Sequence, residues 1–512
     1  MNKNLLFSFL LIALVGCKRS ESPIQEIPEL AVNEDAGTFA EISSFAVGGT
    51  SGGAGAAEIT AFDPITKRLF VVNNASGNNR IEIIDFQDPT AMKSIGNIPV
   101  SAYGGFVNSV SVHDGKLAAA IESTDKQANG KVVVFKTSDY SEIKVVTVGA
   151  LPDMVTFSPD GKYILSANEG EPNDAYTNDP IGTVSIISVA DNYAVNTIDF
   201  SAFASQKATL MAKGFRIFGV GNDFSKDIEP EYICISEDSK TAWVTLQENN
   251  AIAKINISSK TVTDIFPLGF KDYNLEGNEI DPSDKDNAVL LGKWKVKGMY
   301  LPDAIAVLES GGTPYLFSAN EGDAREYGGF SELQRIKDKS IILDPTAFPT
   351  ASLLKKDEQL GRLNITTTLG DTDADGDYDE LYSFGARSFS VWNGNTGLQL
   401  YDSKNELDVK NIAAGFFDDT RSDDKSVEPE GITIGTVGTK QLAFVGLERS
   451  DAVAIYDVSN PSKPIFLQLL KTGDAPEGVL FIAAKNSPTK KSLLLLSSEG
   501  DGQIKVYSPK TI

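Results

Sequence analysis

Five aspartates crowd into GDTDADGDYDE, residues 370–380. Asp371, Asp373 and Asp375 alternate along the chain, Gly376 permits a sharp turn, Asp377 can offer its backbone carbonyl, and Asp379 falls at the ninth position. Oxygen donors at this spacing suit calcium, a hard ion that takes about six to eight of them. The stretch departs from a helix-flanked calcium loop at the twelfth position, where Tyr382 replaces a bidentate Glu. Loops of this kind in exported modules bind calcium at about 0.1 to 1 mM. The alternative is an acidic loop that is merely solvated.

A second acidic pattern runs through the whole chain. Pro-Asp or Pro-Glu recurs at Asp153, Glu231, Asp303, Glu430 and Glu477, with Glu58 and Asn108 at the matching place in two further copies. Between 14 and 22 residues after each comes Asn74, Glu122, Glu169, Glu248, Glu321, Glu448 or Glu499. Carboxylates gathered at one place raise one another's pKa unless a cation or hydrogen-bond donors compensate them. They can cap the amides of neighbouring loops, or hold a metal or cationic ligand. Arg325 in GDAREY and Arg387 in GARSF are candidates to neutralise part of the set.

Other chemistries have little to work with. His113 is the single histidine and sits at a turn, which leaves serine–histidine triads and histidine-rich zinc sites without their parts. GGTSGGAG (48–55) lacks the Gly-Lys-Ser/Thr ending of a phosphate loop and reads as a flexible connection. Carboxylates and calcium could still build a hydrolase of phosphoesters or lactones, with Glu169 or Glu321 as base. That is the alternative to a non-catalytic protein that binds a ligand, an ion or a protein partner.

The two acidic sets belong to a repeat. Seven segments share one shape: 56–86, 106–135, 151–189, 229–257, 301–327, 428–458 and 475–507. Each has a polar entry, an apolar run, a turn, a second apolar run, an acidic tip and a third strand-like run. LPDMVTFSPDGKYILSANEG shows the form, with Pro159-Asp160-Gly161-Lys162 as its hairpin turn. SANEG itself occurs at 166–170 and again at 318–322. Repeated four-stranded meanders predict an all-β, seven-bladed β-propeller. TFAEISSFAV (38–47) predicts an N-terminal strand that pairs onto the last blade and closes the ring. The loop into the innermost strand and the loop after the second strand then share a face. About a dozen carboxylates would surround the channel mouth.

The expected layout is a leader at 1–16, a flexible tether at 17–36 and the propeller at 37–512, with inserted loops at 271–298 and 328–382. The acidic stretch 274–287 has no ligand periodicity and reads as a plain surface loop. Lys3, the apolar run Leu5 to Val15, and Leu14-Val15-Gly16-Cys17 resemble a bacterial lipoprotein signal. The resemblance implies cleavage before Cys17 and lipidation of that residue. Lys18, in place of Asp, favours the outer membrane. Cleavage moves the formal charge from −24 to about −25, which argues against nucleic acid and anionic lipid as partners and leaves the lipid anchor as the membrane contact. It suits divalent cations. Once Cys17 is lipidated, Cys234 is the one remaining thiol, so no internal disulfide is expected.

GFRIFG (214–219), EPEYI (229–233), KGMYLPDAIA (297–306), SANEGDAREY (318–327), DTDADGDYDELYSFGARSFSVWN (371–393) and PEGI (429–432) together resemble the choice-of-anchor I domain. The resemblance spans about residues 40 to 508. It implies an exported, surface-tethered propeller and carries no catalytic residue to this chain.

Overall fold

The computed structural model describes residues 33–48, 55–77 and 79–511. The leader, Cys17 and most of the Gly-rich stretch 48–55 lie outside them. The described residues form an all-β fold built from seven antiparallel four-stranded sheets. Their first strands are Thr60–Asp63, Val107–His113, Pro152–Phe157, Pro230–Ile235, Ile305–Ser310, Pro429–Val437 and Pro476–Ile482. Each first strand touches the next, and the seventh touches the first.

Alternation along the strands explains the packing. The side chains on both faces of each sheet are apolar, and every neighbouring pair of sheets shares one cluster. Phe70, Val72 and Ile83 of the first sheet meet Val110, Leu117 and Val133 of the second. Phe317 and Phe389 of the fifth meet Phe444's neighbours Ala443 and Val445 of the sixth. Cys234 is a buried thiol in one such cluster, between the fourth and fifth sheets.

The turn predicted at 159–162 and its counterpart in the fourth sheet, at 237–240, share a hydrogen-bond scheme. Ser158 Oγ accepts from Tyr163 N (3.0 Å) and donates to Asp160 (2.8 Å), and Ser236 Oγ does the same with Thr241 N (3.0 Å) and Asp238 (2.8 Å). Gly161 and Ser239 carry the positive φ values, 67° and 60°, that this turn needs.

The seventh sheet consists of Pro476–Ile482, Leu493–Ser498, Gln503–Thr511 and the N-terminal strand Glu34–Ala46. That strand begins inside the stretch read as a tether. Glu34 pairs with Thr511 and Ala36 is buried, so residues 34–36 are part of the sheet.

The insertions depart further from expectation. Residues 271–298 and 328–382 are not separate loops. Phe270–Asp272, Lys297–Met299, Tyr382–Ser383, Asn364–Thr366 and Leu333–Arg335 assemble, in that order, into a five-stranded sheet. Tyr273, Ile280, Ile336, Leu343, Phe348 and Leu363 are among its own apolar core. The stretch 274–287 is therefore no plain surface loop, since Ile280, Asp281 and Ser283 are buried in it. Its few apolar residues find partners some 60 residues away, which periodicity within the stretch does not reveal. Short helices at Lys207–Met211, Ala351–Leu354 and Glu406–Ala414 fill connections between strands.

Candidate functional site

The acidic repeat is positioned by a strained backbone. Leu151, Leu301, Glu428 and Ala475, each directly before a Pro-acid pair, have φ between 43° and 54°. Left-handed geometry is uncommon for such residues and costs of order 1 kcal/mol or more. Their carbonyls accept from the amides that follow the second strand: Glu169 N donates to Leu151 O (2.9 Å), Gly322 N to Leu301 O (3.1 Å), Glu448 N to Glu428 O (2.9 Å) and Glu499 N to Ala475 O (3.0 Å). The strain is thus tied to the pairing of the two acidic sets.

SANEG divides into roles. Asn168 Nδ2 donates to Ser185 (3.1 Å) and Asn320 Nδ2 to Ser390 (2.9 Å), while Ser166 and Ser318 donate back to these asparagines. This is a buried ladder across strands. A Cβ on Gly322 would come 2.1 Å from Gly385 N, so only glycine fits there. Glu169 and Glu321 are left to face the site.

All seven four-stranded sheets, through a first strand or the residues just ahead of it, line one cavity of about 60 Å³. Ile59, Asn108, Asp153, Tyr232, Asp303, Gly431 and Glu477 are among its lining, one from each sheet or its entry. Burial, with facing carboxylates adding to it, holds Glu169, Glu231, Asp303, Glu430 and Glu477 protonated well above the usual carboxylate range. Burial also pushes Glu58, Glu248 and Glu448 up to about 8 and Asp153 up to about 6. Glu231 Oε2, Glu430 Oε2 and Glu477 Oε2 are out of solvent with no hydrogen-bond partner. Glu499 contributes its charge to Glu58 and Glu477.

One sector of the mouth is compensated by cations that the sequence reading missed. Lys425 Nζ reaches Glu321 (2.6 Å), Glu428 (3.3 Å) and Asp323 (3.4 Å). Arg449 holds Glu448 (2.7 Å) and Glu428 (3.4 Å), and Arg421 Nε donates to Glu428 (3.1 Å). Burial alone would raise Glu321, but Lys425 and Gln247 outweigh it and the net shift is downward.

Arg325 and Arg387 have other places than expected. Arg325 is buried against Asp227 and Glu229 (3.0 Å), with its guanidinium 4.6 Å from the Phe218 ring centre. Arg387 donates to the carbonyls of Asp281 (2.8 Å), Ser422 (2.7 Å) and Asp424 (2.9 Å), so it ties insertions together and pairs with no carboxylate of the mouth. A signal for the missed acids was present: Glu-Pro-Glu occurs at 229–231 and 428–430. In both copies the first Glu is buried on arginine and the second faces the cavity region.

In the aspartate loop, Asp371 turns inward and accepts the amides of Ala374 (2.7 Å), Asp375 (3.2 Å) and Gly376 (3.1 Å). Asp371, Asp373 and Asp379 each bring an oxygen within 4.8 Å of the others. Asp375, expected in that cage, instead accepts Asp377 N (3.2 Å). Asp344, Asp377 and Asp379 make a second trio, with Asp344 drawn in because Tyr378 N donates to Ile342 O (2.8 Å) and Asp344 N to Tyr378 O (3.1 Å).

The raised carboxylates set a pH dependence. A group whose pKa is raised on folding stabilises the native state fully below its unfolded pKa, about 4.5 for Glu, and loses that contribution as pH climbs through the folded value. Glu58 and Glu248, at about 8, place this loss between about pH 4.5 and 8. The lowered acids, such as Asp160 and Asp284 at about 2, titrate below that window. Tm in chelator is therefore expected to fall from pH 5 to pH 8.5. Scanning calorimetry showing a rise over that range would contradict the assignment.

The chain has relatives among known proteins. The chain is 26% identical over 354 residues to the mesenchyme-specific cell surface glycoprotein of Strongylocentrotus purpuratus, a match covering 59% of this chain and 45% of that one. It is 26% identical over 188 residues to Gigasin-3a of Magallana gigas, covering 30% of this chain and 66% of that protein. Each match thus takes in less than two thirds of the relative. Among solved structures, the β-propeller domain of Myceliophteria thermophila Cps50 (Swd1) superposes with a TM-score of 0.46 at 8% identity, covering 92% of this chain and 100% of that one. The choice-of-anchor I domain model matches residues 58–461, and the chain belongs to that family.

Proposed function

We propose that the chain is an exported, lipid-anchored display module: a closed seven-bladed propeller that holds calcium and offers its acidic channel to a cation or a cationic ligand. The observation that carries this reading is the cavity lined by residues of all seven four-stranded sheets or their entries, among them Glu477, one of whose oxygens has neither solvent nor partner. Buried acids without counter-charge are costly unless protonated or bound to a cation. The cell-surface name of a relative supports display at a surface. Cys17 would carry the lipid at the outer membrane, and loss of membrane-fraction retention in Cys17→Ser tests that anchor.

The aspartate loop would hold a stabilising calcium through Asp371, Asp373 and Asp379, with Asp344 and Asp377 beside them. At about 10 mM calcium, some 10 to 100 times the expected Kd, binding adds about 1.4 to 2.7 kcal/mol of stability. Asp379 serves both trios, so Asp379→Asn is expected to remove most of the calcium-induced rise in Tm. An undiminished rise in that variant sinks the loop as the stabilising site.

A further inference from the structure

Two carboxylate trios meet at Glu321. Asp303, Glu321 and Glu430 each place an oxygen within 4.8 Å of the other two, and so do Glu321, Glu428 and Glu448. The second trio is served by Lys425, Arg421 and Arg449. Among the described residues, no ion pair involves Asp303 or Glu430. Lys425 touches the first trio only through Glu321.

An independent feature lies against this first trio. Gln247 is fully buried, and its Nε2 donates to Glu321 Oε2 at 2.8 Å while its Oε1 has no partner. A buried amide oxygen without a donor costs of order 1 to 3 kcal/mol. Within the trio itself, Glu430 Oε2 is likewise out of solvent and unpartnered. Each of these oxygens is an acceptor that a positive ion can satisfy.

We propose that Asp303, Glu321 and Glu430, with Gln247 Oε1 as a neutral fourth oxygen, form a site for a hard divalent cation of the calcium type, and that Lys425 is its built-in competitor. The donor set is all oxygen, which selects calcium or magnesium over zinc and copper. The cavity lined by Asp303 leaves room for water to complete the coordination. The carboxylates come from different sheets, Asp303 and Glu321 from the fifth and its loops and Glu430 from the sixth, so an ion there would clamp neighbouring sheets together. The Lys425 ammonium and the ion claim the same Glu321 carboxylate. On binding, Lys425 keeps Glu428 and Asp323 as its partners. The site takes calcium against its own lysine, which sets a threshold on the concentration it answers to.

This inference rests on the reading that the channel takes a cation, and the test separates the two. Calcium is titrated calorimetrically into the full chain carrying Asp379→Asn, which removes the shared ligand of the aspartate loop. Further substitution of Glu430→Gln is expected to weaken the remaining binding by about tenfold or more, since affinity follows ligand charge. Lys425→Met is expected to tighten it by about tenfold, because an attraction competing for Glu321 is gone. These opposite directions cannot both come from damage to the fold, and a cooperative metal-free melt of the Glu430→Gln chain shows that the fold is kept. If calcium binds but both variants stay within about twofold of the parent, the trio is wrong and the channel reading stands. If the Asp379→Asn chain and its Lys425→Met derivative bind no calcium at pH 8, both are wrong.

Discussion

Deleting residues 34–46 is expected to abolish the cooperative thermal transition and leave a chain that aggregates. The strand Glu34–Ala46 is the outer member of the seventh sheet, in register with Gln503–Thr511 from Glu34↔Thr511 to Ala46↔Gln503. It is also tied to both neighbouring sheets. Phe39 exchanges two hydrogen bonds with Gln468 of the sixth sheet, both 2.9 Å, and Ser43 donates to Pro89 O beside the first. Glu34 accepts Ser492 N (2.6 Å) and Ser492 Oγ (2.7 Å). Phe39 packs edge-on to Phe444 at 5.3 Å, and losing that ring alone costs about 3 to 5 kcal/mol. Typical stabilities of about 5 to 15 kcal/mol leave little after the rest of the strand goes as well. The exposed Gln503–Thr511 edge would then template association. Circular dichroism melts and light scattering check this, and a monomer with an unshifted melt would contradict it.

Arg325→Met carries the second large effect, a destabilisation of about 3 to 5 kcal/mol. Arg325, Asp227 and Glu229 are all buried, and the substitution leaves two carboxylates without their cation. Asp227 also accepts the amides of Phe218 (2.6 Å) and Gly219 (2.7 Å), so its charge fixes the GFRIFG stretch in place. That stretch brings Arg216, whose guanidinium lies 4.0 Å from the Phe218 ring centre, to the buried Glu332. The loss should therefore spread from the fourth sheet into the insertion sheet. Arg325→Lys keeps the charge without the two-pronged geometry and should recover only part of the stability. Urea unfolding measures both, and a change below about 1 kcal/mol for the Met variant would remove Arg325 from this role.

The repeat was legible because strand alternation and hairpin turns are local. Ser158-Pro-Asp-Gly-Lys and Ser236-Glu-Asp-Ser-Lys announce turns whose hydrogen bonds the structure contains. The two acidic sets were legible for the same reason, since most copies carry an acid at each of two matching places in the repeat. What sequence did not disclose depends on contacts between distant segments. Asp344 joins the aspartate loop through a backbone bridge, Leu343 to Tyr378, across more than thirty residues. Lys425 reaches Glu321 from the connection ahead of the sixth sheet, about a hundred residues on. Arg387 has the charge to face the mouth but a left-handed backbone, φ 52°, and its three bonds turn it to carbonyls. Gln247 looks unremarkable in VTLQENN and becomes informative only through its unpaired oxygen.

The most direct test of the central claim is a crystal structure of the full chain grown with calcium at about pH 8, where Glu58 and Glu248 are about half ionised. The account predicts anomalous density in two places: in the aspartate loop beside Asp379, and between Asp303, Glu321 and Glu430 with Lys425 Nζ moved off Glu321. Density in the loop alone, with Lys425 still on Glu321 and Gln247 Oε1 still unpaired, would contradict the claim that the channel is a cation site.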